Sequence, residues 1–215
     1  MQELSRSEVA YWDRQSRIYK RAYVSFVIIA INVAIFLLGG TIMPWIYEKG
    51  VMVTALVVEN GEYYRLLSAT FLHADVNHLM NNMLMLLLAG AVVENYTGHG
   101  FYLLLYILAG LMGNIISMAH ELQFNLLYAS VGASGAIMGT MGFIVAWIII
   151  NWKSFAKSRN VVFRLMVLGI FILHAVSFQK GANTTAHFGG LLTGLIMGFI
   201  NIVIFKNRKK MEGLA

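Results

Sequence analysis

Long apolar runs separated by polar connectors dominate the chain, and their lengths set the first expectation. A helix that crosses a bilayer needs about 20 mostly apolar residues, since each residue advances it by only about 1.5 Å. Six stretches approach that length, near residues 22–43, 77–94, 101–120, 132–150, 161–178 and 185–205, and they predict six membrane-spanning helices. One connector differs from the others. Residues 44–76 are too many for a tight turn and too polar to span, yet they carry Trp45, Tyr47, Tyr63 and Tyr64. Aromatic rings favour the membrane–water boundary, so this segment is expected as a large outer loop lying partly in it. No repeat divides the chain. The expected organisation is a six-helix transmembrane domain over 22–205, an N-terminal segment over 1–21 and a basic tail over 206–215.

Composition points the same way. Of the 215 residues, 59% are hydrophobic and only 12% charged, with a mean hydropathy of +0.69. That is the make-up of an all-α integral membrane protein. The formal charge of +6 resides in clusters outside the apolar runs: Arg14, Arg17, Lys20 and Arg21; Lys153, Lys157 and Arg159; Lys206, Arg208, Lys209 and Lys210. With six spans all three clusters fall on one side, which places both termini in the cytoplasm. No basic stretch is interleaved with aromatics, so no nucleic acid is expected as a partner. Segment 1–21 mixes acids and bases and lacks the apolar centre of a secretory signal, which suits a cytoplasmic lead with the character of an interfacial helix. The absence of cysteine excludes disulfides, thiolate nucleophiles and cysteine zinc sites.

Glycine spacing predicts which helices meet. Gly135, Gly139 and Gly142 recur at helical intervals in the fourth span, as do Gly190, Gly194 and Gly198 in the sixth. Stripes of small residues let backbones approach closely in lipid, so these two helices are the expected close-packed pair.

Polar groups are costly inside a bilayer, and here they gather at one end of the predicted bundle. His78 and Asn82, four residues apart, share a face near the outer end of the second span. Ser134 opens the fourth span between Gly132 and Gly135, and His187 opens the sixth, within roughly 60° of its glycine stripe at about 100° per residue. If the stripes face each other, the histidine can take the serine proton and return it to a leaving amine. Donors for an oxyanion are then the Ser134 N–H, the Asn82 amide and a ring nitrogen of His78. No carboxylate completes a triad: Glu94 lies about 18 Å further along the second span, and Asp75 is on another element. A Ser-His dyad is expected.

Each group also has a plainer role. A serine among glycines packs helices, and an intramembrane histidine satisfies a backbone carbonyl. His73, His78 and His187 are three imidazoles for a metal, but neither H-E-x-x-H nor its reverse occurs, and no metal or other cofactor is expected. His174 is expected to be satisfied by a neighbour, and His99 and His120 to be interfacial. Asn183 or Thr184 is the expected N-cap of the sixth span, and Met138, one turn after Ser134, walls the site or fills the core.

At these residues the sequence resembles the rhomboid family of intramembrane serine proteases in its bacterial six-helix form. "HADVNHLMNN" at 73–82 is similar to the family's H-x4-H-x3-N, "GASG" at 132–135 to its G-x-S-G, and "AHFGG" at 186–190 with Gly194 to its A-H-x2-G-x3-G. The resemblance covers about residues 64–199. It implies a rhomboid-like bundle in which Ser134 is the nucleophile, His187 the general base, and His78, Asn82 and the Ser134 amide the oxyanion site. It also implies a water-filled cavity open to the outer face, with residues 121–131 as its non-helical lining, and a lateral gate over 161–184. The implied substrates are single-span transmembrane proteins cleaved near the outer face. Two departures stand out: Tyr64-Arg65 where the family usually has Trp-Arg, and Met138 where some bacterial members have a tyrosine stacked on the histidine. The alternative reading is a rhomboid-like protein that binds transmembrane helices without cutting them, as a chaperone or adaptor; a proton path through His78 and His187 would need acids that are missing. A compact six-span form suggests a prokaryotic inner membrane.

Overall fold

The computed structural model describes residues 6–157, 160–176 and 182–212. Residues 1–5, 158–159, 177–181 and 213–215, which include Arg159 and parts of the expected N-terminal segment, gate and tail, lie outside the described residues.

The fold is an all-helical membrane bundle. Its spans are Tyr23–Thr41, Val76–Thr97, His99–Phe124, Ser134–Ile150, Val161–Val176 and Thr184–Ile204, called the first to the sixth. Four of them, the first, second, third and sixth, are long and apolar enough to cross a membrane; the fourth and fifth are shorter apolar helices. A helix, Arg6–Lys20, precedes the first span, and its Ile18, with Ala22, packs on Ala91 of the second. Two spans contain a π-helical turn, at Leu86–Gly90 and at Ile200–Ile204.

The fourth span is the centre. It is apolar all round, and from Gly135 to Ile144 every residue is buried, the arrangement of a helix enclosed by others. At 17 residues it covers about 25 Å, less than the roughly 30 Å of hydrocarbon. The two glycine stripes face each other. A Cβ placed on Gly190 would strike the carbonyl of Gly135, one on Gly194 the carbonyl of Gly139, and one on Gly198 would lie 3.3 Å from Phe143 Cα. At Gly190 and Gly194 the fourth and sixth spans touch backbone to backbone, while at Gly198 the nearest atom is the Cβ of Ala146, at 2.5 Å from the added one. Gly113 of the third span also approaches the sixth, since a Cβ there would be 2.7 Å from the Ala186 carbonyl.

The long connector is structured. It holds the short helices Trp45–Gly50, Thr54–Glu59 and Arg65–Ser68, and a 3-10 turn at Ala69–Phe71. Trp45, Tyr63 and Tyr64 are exposed, whereas Arg65 is buried. The guanidinium of Arg65 donates to the carbonyls of Glu48 (3.1 Å) and Val51 (2.8 Å) and to the Glu62 carboxylate (2.6 Å), tying three parts of the connector together. Between the third and fourth spans, Ala129–Ser130 pairs antiparallel with Met52–Val53, in register Met52 to Ser130. This two-stranded patch and the bond from Gly132 N–H to the Ala69 carbonyl (2.9 Å) hold the chain just before Ser134 against the connector.

One expectation needs correction. The non-helical lining was expected over 121–131, but the third span continues to Phe124 and ends at Asn125 in the left-handed conformation (φ 51°). Glu121, Leu122 and Gln123 are good helix formers, and Asn is among the few residues that accept a left-handed cap. The irregular backbone therefore begins after the last turn of that helix.

Candidate active site

Ser134 follows the N-cap Ala133 as the first residue of the fourth span, and the cap makes no side-chain bond to the helix. The Ser134 hydroxyl faces the sixth span, where Oγ lies 2.7 Å from His187 Nε2. The other ring nitrogen, Nδ1, lies 2.5 Å from the main-chain carbonyl of Ala175 in the fifth span. A carbonyl only accepts, so Nδ1 carries the proton and Nε2 is left as an acceptor for the Ser134 hydroxyl. Ala175 is the residue that sequence reasoning missed; nothing in an alanine side chain signals a backbone contact.

His187 sits one turn inside the sixth span, and its height is fixed by Asn183. The Asn183 side chain accepts from Ala186 N–H at 3.0 Å, which makes it the N-cap, while Thr184 is the first helical residue. Asn183 is itself held: its amide donates to Ser117 Oγ and to Ser130 Oγ, both at 2.7 Å.

Gly132 shapes the approach to the serine. Its φ of +133° suits glycine, and a Cβ there would lie 2.8 Å from His78 Nε2 and 3.4 Å from Ser134 Oγ. Imidazole and hydroxyl therefore flank the same small gap, which any larger residue at 132 would fill. His78 is half-buried, in the first turn of the second span, and that helix is capped by Asp75, whose carboxylate accepts from His78 N–H at 2.9 Å. One turn on, Asn82 is buried and its Nδ2 has no acceptor among the described residues. The N–H of Ser134 also lacks an acceptor within its helix, as at every helix start. His73 is fully buried, its ring edge-on to His78 with centroids 5.1 Å apart, and its backbone carbonyl accepts from the Tyr47 hydroxyl at 2.7 Å.

Other expected positions fall outside this group. Met138 is buried in the bundle. Glu94 is engaged far from the serine, with the first span and His99. His120 meets Phe124 at 4.8 Å, and the side chain of His174 lies outside the described residues. Among the described residues no group of three metal-ligating side chains assembles.

A polytopic helical membrane protein with a hydrogen-bonded serine and histidine at one end of its bundle is the class that this geometry defines. The sequence matches the Rhomboid domain over residues 60–203. The chain belongs to the rhomboid family, a family of intramembrane serine proteases and their relatives. It is similar to RHOMBOID-like protein 5 of Arabidopsis thaliana, 34% identical over 164 residues that cover 76% of this chain and 52% of that one. To RHOMBOID-like protein 4 of the same plant it is 37% identical over 147 residues, covering 68% and 36%. Rhomboid protease GluP of Bacillus subtilis is 31% identical over 177 residues, covering 79% of this chain and 33% of its own. The chain thus spans between a third and about half the length of these three relatives.

Proposed function

We propose that the chain is an intramembrane serine endopeptidase that cuts single-span transmembrane proteins near the outer membrane face with a Ser134–His187 dyad. The observation that carries this reading is the 2.7 Å contact of Ser134 Oγ with His187 Nε2, in a ring whose other nitrogen is occupied by the Ala175 carbonyl. The histidine is thereby fixed as a base toward the serine.

In the first step Ser134 Oγ attacks the scissile carbonyl carbon while Nε2 takes its proton. The carbonyl oxygen, now negative, is met by the unpaired Asn82 amide, the Ser134 N–H and the His78 ring. Nε2 then passes the proton to the leaving amine, giving an acyl-serine. A water, losing a proton to the same nitrogen, releases the new carboxylate and restores the serine. Every group in the sequence is a side chain or amide of this chain, and the reading calls for no metal or cofactor.

The three basic clusters support a topology with both termini in the cytoplasm and Ser134 at the opposite, outer end, and the compact six-span form suits a prokaryotic inner membrane. The lateral gate is assigned to the fifth span and the chain that follows it, over 161–184.

A fluorophosphonate reagent tests the chemistry on detergent-solubilised protein. Labelling of Ser134 is expected in the wild type and is expected to vanish in Ser134→Ala and in His187→Ala, along with cleavage of a tagged single-span protein. Cleavage that survives Ser134→Ala would remove the reading. Binding without cleavage across a broad set of transmembrane proteins would instead favour a helix-binding adaptor.

A further inference from the structure

Against His78 lies a cavity of about 510 Å³, within the range of small-ligand sites. Its wall includes His78 from the oxyanion group, Val131 from the approach to Ser134, and Asn183 from the cap of the sixth span. It also includes Glu121, in the last turn of the third span. Nothing in the mechanism above uses this carboxylate.

Glu121 is 1% exposed. Oε1 accepts from Ser117 Oγ at 2.9 Å and Oε2 from Thr54 Oγ1 at 2.7 Å. An ionised carboxylate offers about four acceptor positions, so two neutral hydroxyls fill half of them and bring no positive charge. Among the described residues the ion pairs are Arg65 with Glu62 and His99 with Glu94, and no cation pairs with Glu121. His120 is in the same wall, but its ring packs on Phe124. A carboxylate withdrawn from water is stabilised by a cation that arrives with its own hydrogen-bond donors. Glu121 also borders a smaller hollow of about 300 Å³ on the side of Glu59 and Leu122, but only the larger cavity shares His78 with the oxyanion group.

We infer that this cavity receives a cationic side chain of the substrate, lysine or arginine, close to the scissile bond, with the Glu121 carboxylate as its counter-ion. Ser117 and Thr54 hold the carboxylate from two sides and fix where the cation sits. Exposed Tyr128 at the cavity wall supplies an aromatic face past which a cationic side chain can enter. The inference rests on the protease reading for the word substrate and goes beyond it by naming a substrate class.

The test uses the full chain in detergent micelles and two readouts. Single-span peptides carry lysine, or its uncharged near-isostere norleucine, at successive positions along their outer third. In the Ser134→Ala background, anisotropy is expected to show at least one position where lysine binds about tenfold more tightly, the size of one well-placed charged contact. Glu121→Gln in that background is expected to bring the ratio close to one. Retained norleucine binding shows that this variant folds, and if it does not fold, Glu121→Asp, which keeps the charge, is expected to keep part of the preference. With Ser134 intact, the ratio of kcat/KM for the same peptides is expected to follow the binding ratio. Equal binding of both side chains at every position, or a lysine preference that survives Glu121→Gln, would overturn the inference whether or not any peptide is cut. Charge-selective binding that depends on Glu121 with no cleavage of any peptide would uphold the cation site and remove the protease reading alone.

Discussion

Among the described residues neither ring nitrogen of His73 meets a hydrogen-bond partner, and the side chain is fully buried. Burial, reinforced by the neighbouring His78 ring, pushes its pKa down to about 4, against a smaller opposing pull from Asp75. His73 is therefore neutral in the fold near pH 7, whereas in an unfolded chain it binds a proton below about pH 6.5. The unfolded state holds more protons in that window, so stability falls as pH drops from about 6.5 towards 4 and is untouched above it. The thermal midpoint in detergent is expected to fall across this range, and less steeply in His73→Phe; parallel pH profiles for the two proteins would contradict the assignment. Asn82 is the complementary case at this scale. Its unpaired Nδ2 is a donor without a ground-state acceptor, so Asn82→Ala is expected to lower kcat by about 100-fold or more with KM little changed. An effect confined to KM would mean that Asn82 contacts substrate rather than the oxyanion.

At the scale of elements, the glycine stripes separate two effects of the same substitution. Gly194→Ala forces a Cβ into the Gly139 carbonyl of the facing helix, and backbone cannot move aside as a flexible side chain does. The fourth and sixth spans are expected to part, with loss of the folded bundle or a large fall in its thermal midpoint and no labelling of Ser134. Gly169, in the fifth span, has nothing among the described residues within 4 Å of the same added atom. Gly169→Ala is therefore expected to raise helix stability by about 0.5–1 kcal/mol and to leave the bundle intact. Equal outcomes for the two variants would mean that the helices are not in backbone contact. This pairing was legible before any coordinates, because three small residues at helical spacing on two spans leave few other arrangements. The end of the third span was not legible. The expected non-helical lining over 121–131 took in its last turn, where the bonds of Glu121 to Ser117 and Thr54 accommodate a carboxylate in a buried helix.

Across the whole molecule, Glu94 joins parts that the serine and histidine do not reach. It is 1% exposed, and its oxygens accept from the N–H groups of Val24 and Ser25, each at 2.8 Å, from Ser25 Oγ at 2.7 Å and from His99 Nδ1 at 2.6 Å. The two amides open the first span, where no intrahelical acceptor exists, so a side chain of the second span caps the first. Glu94→Ala strands these buried donors, at about 1–3 kcal/mol for each left unsatisfied. Limited proteolysis is expected to cut before the first span in that variant while Ser134 labelling falls less than stability does. Sequence spacing correctly placed Glu94 too far along its helix to serve His187, but gave no hint of this task, since the partner amides belong to residues some 70 positions earlier. The candidate site was legible for a related reason: Ser134, His187, His78 and Asn82 each carry a distinctive polar side chain at the same end of the bundle. What stayed hidden is the main-chain carbonyl of Ala175 and the capping role of Asp75, whereas the cap of the sixth span falls on Asn183, one of the two residues expected there.

The group that orients His187 is an oxygen of the peptide backbone, present whichever amino acid occupies position 175. Codon changes there can swap the side chain freely and never delete the acceptor, so conventional scanning mutagenesis is blind to it. Chemical synthesis is not: converting the amide that joins residues 175 and 176 to an ester leaves a poorer acceptor at the same place, and the imidazole loses its anchor with every side chain unaltered.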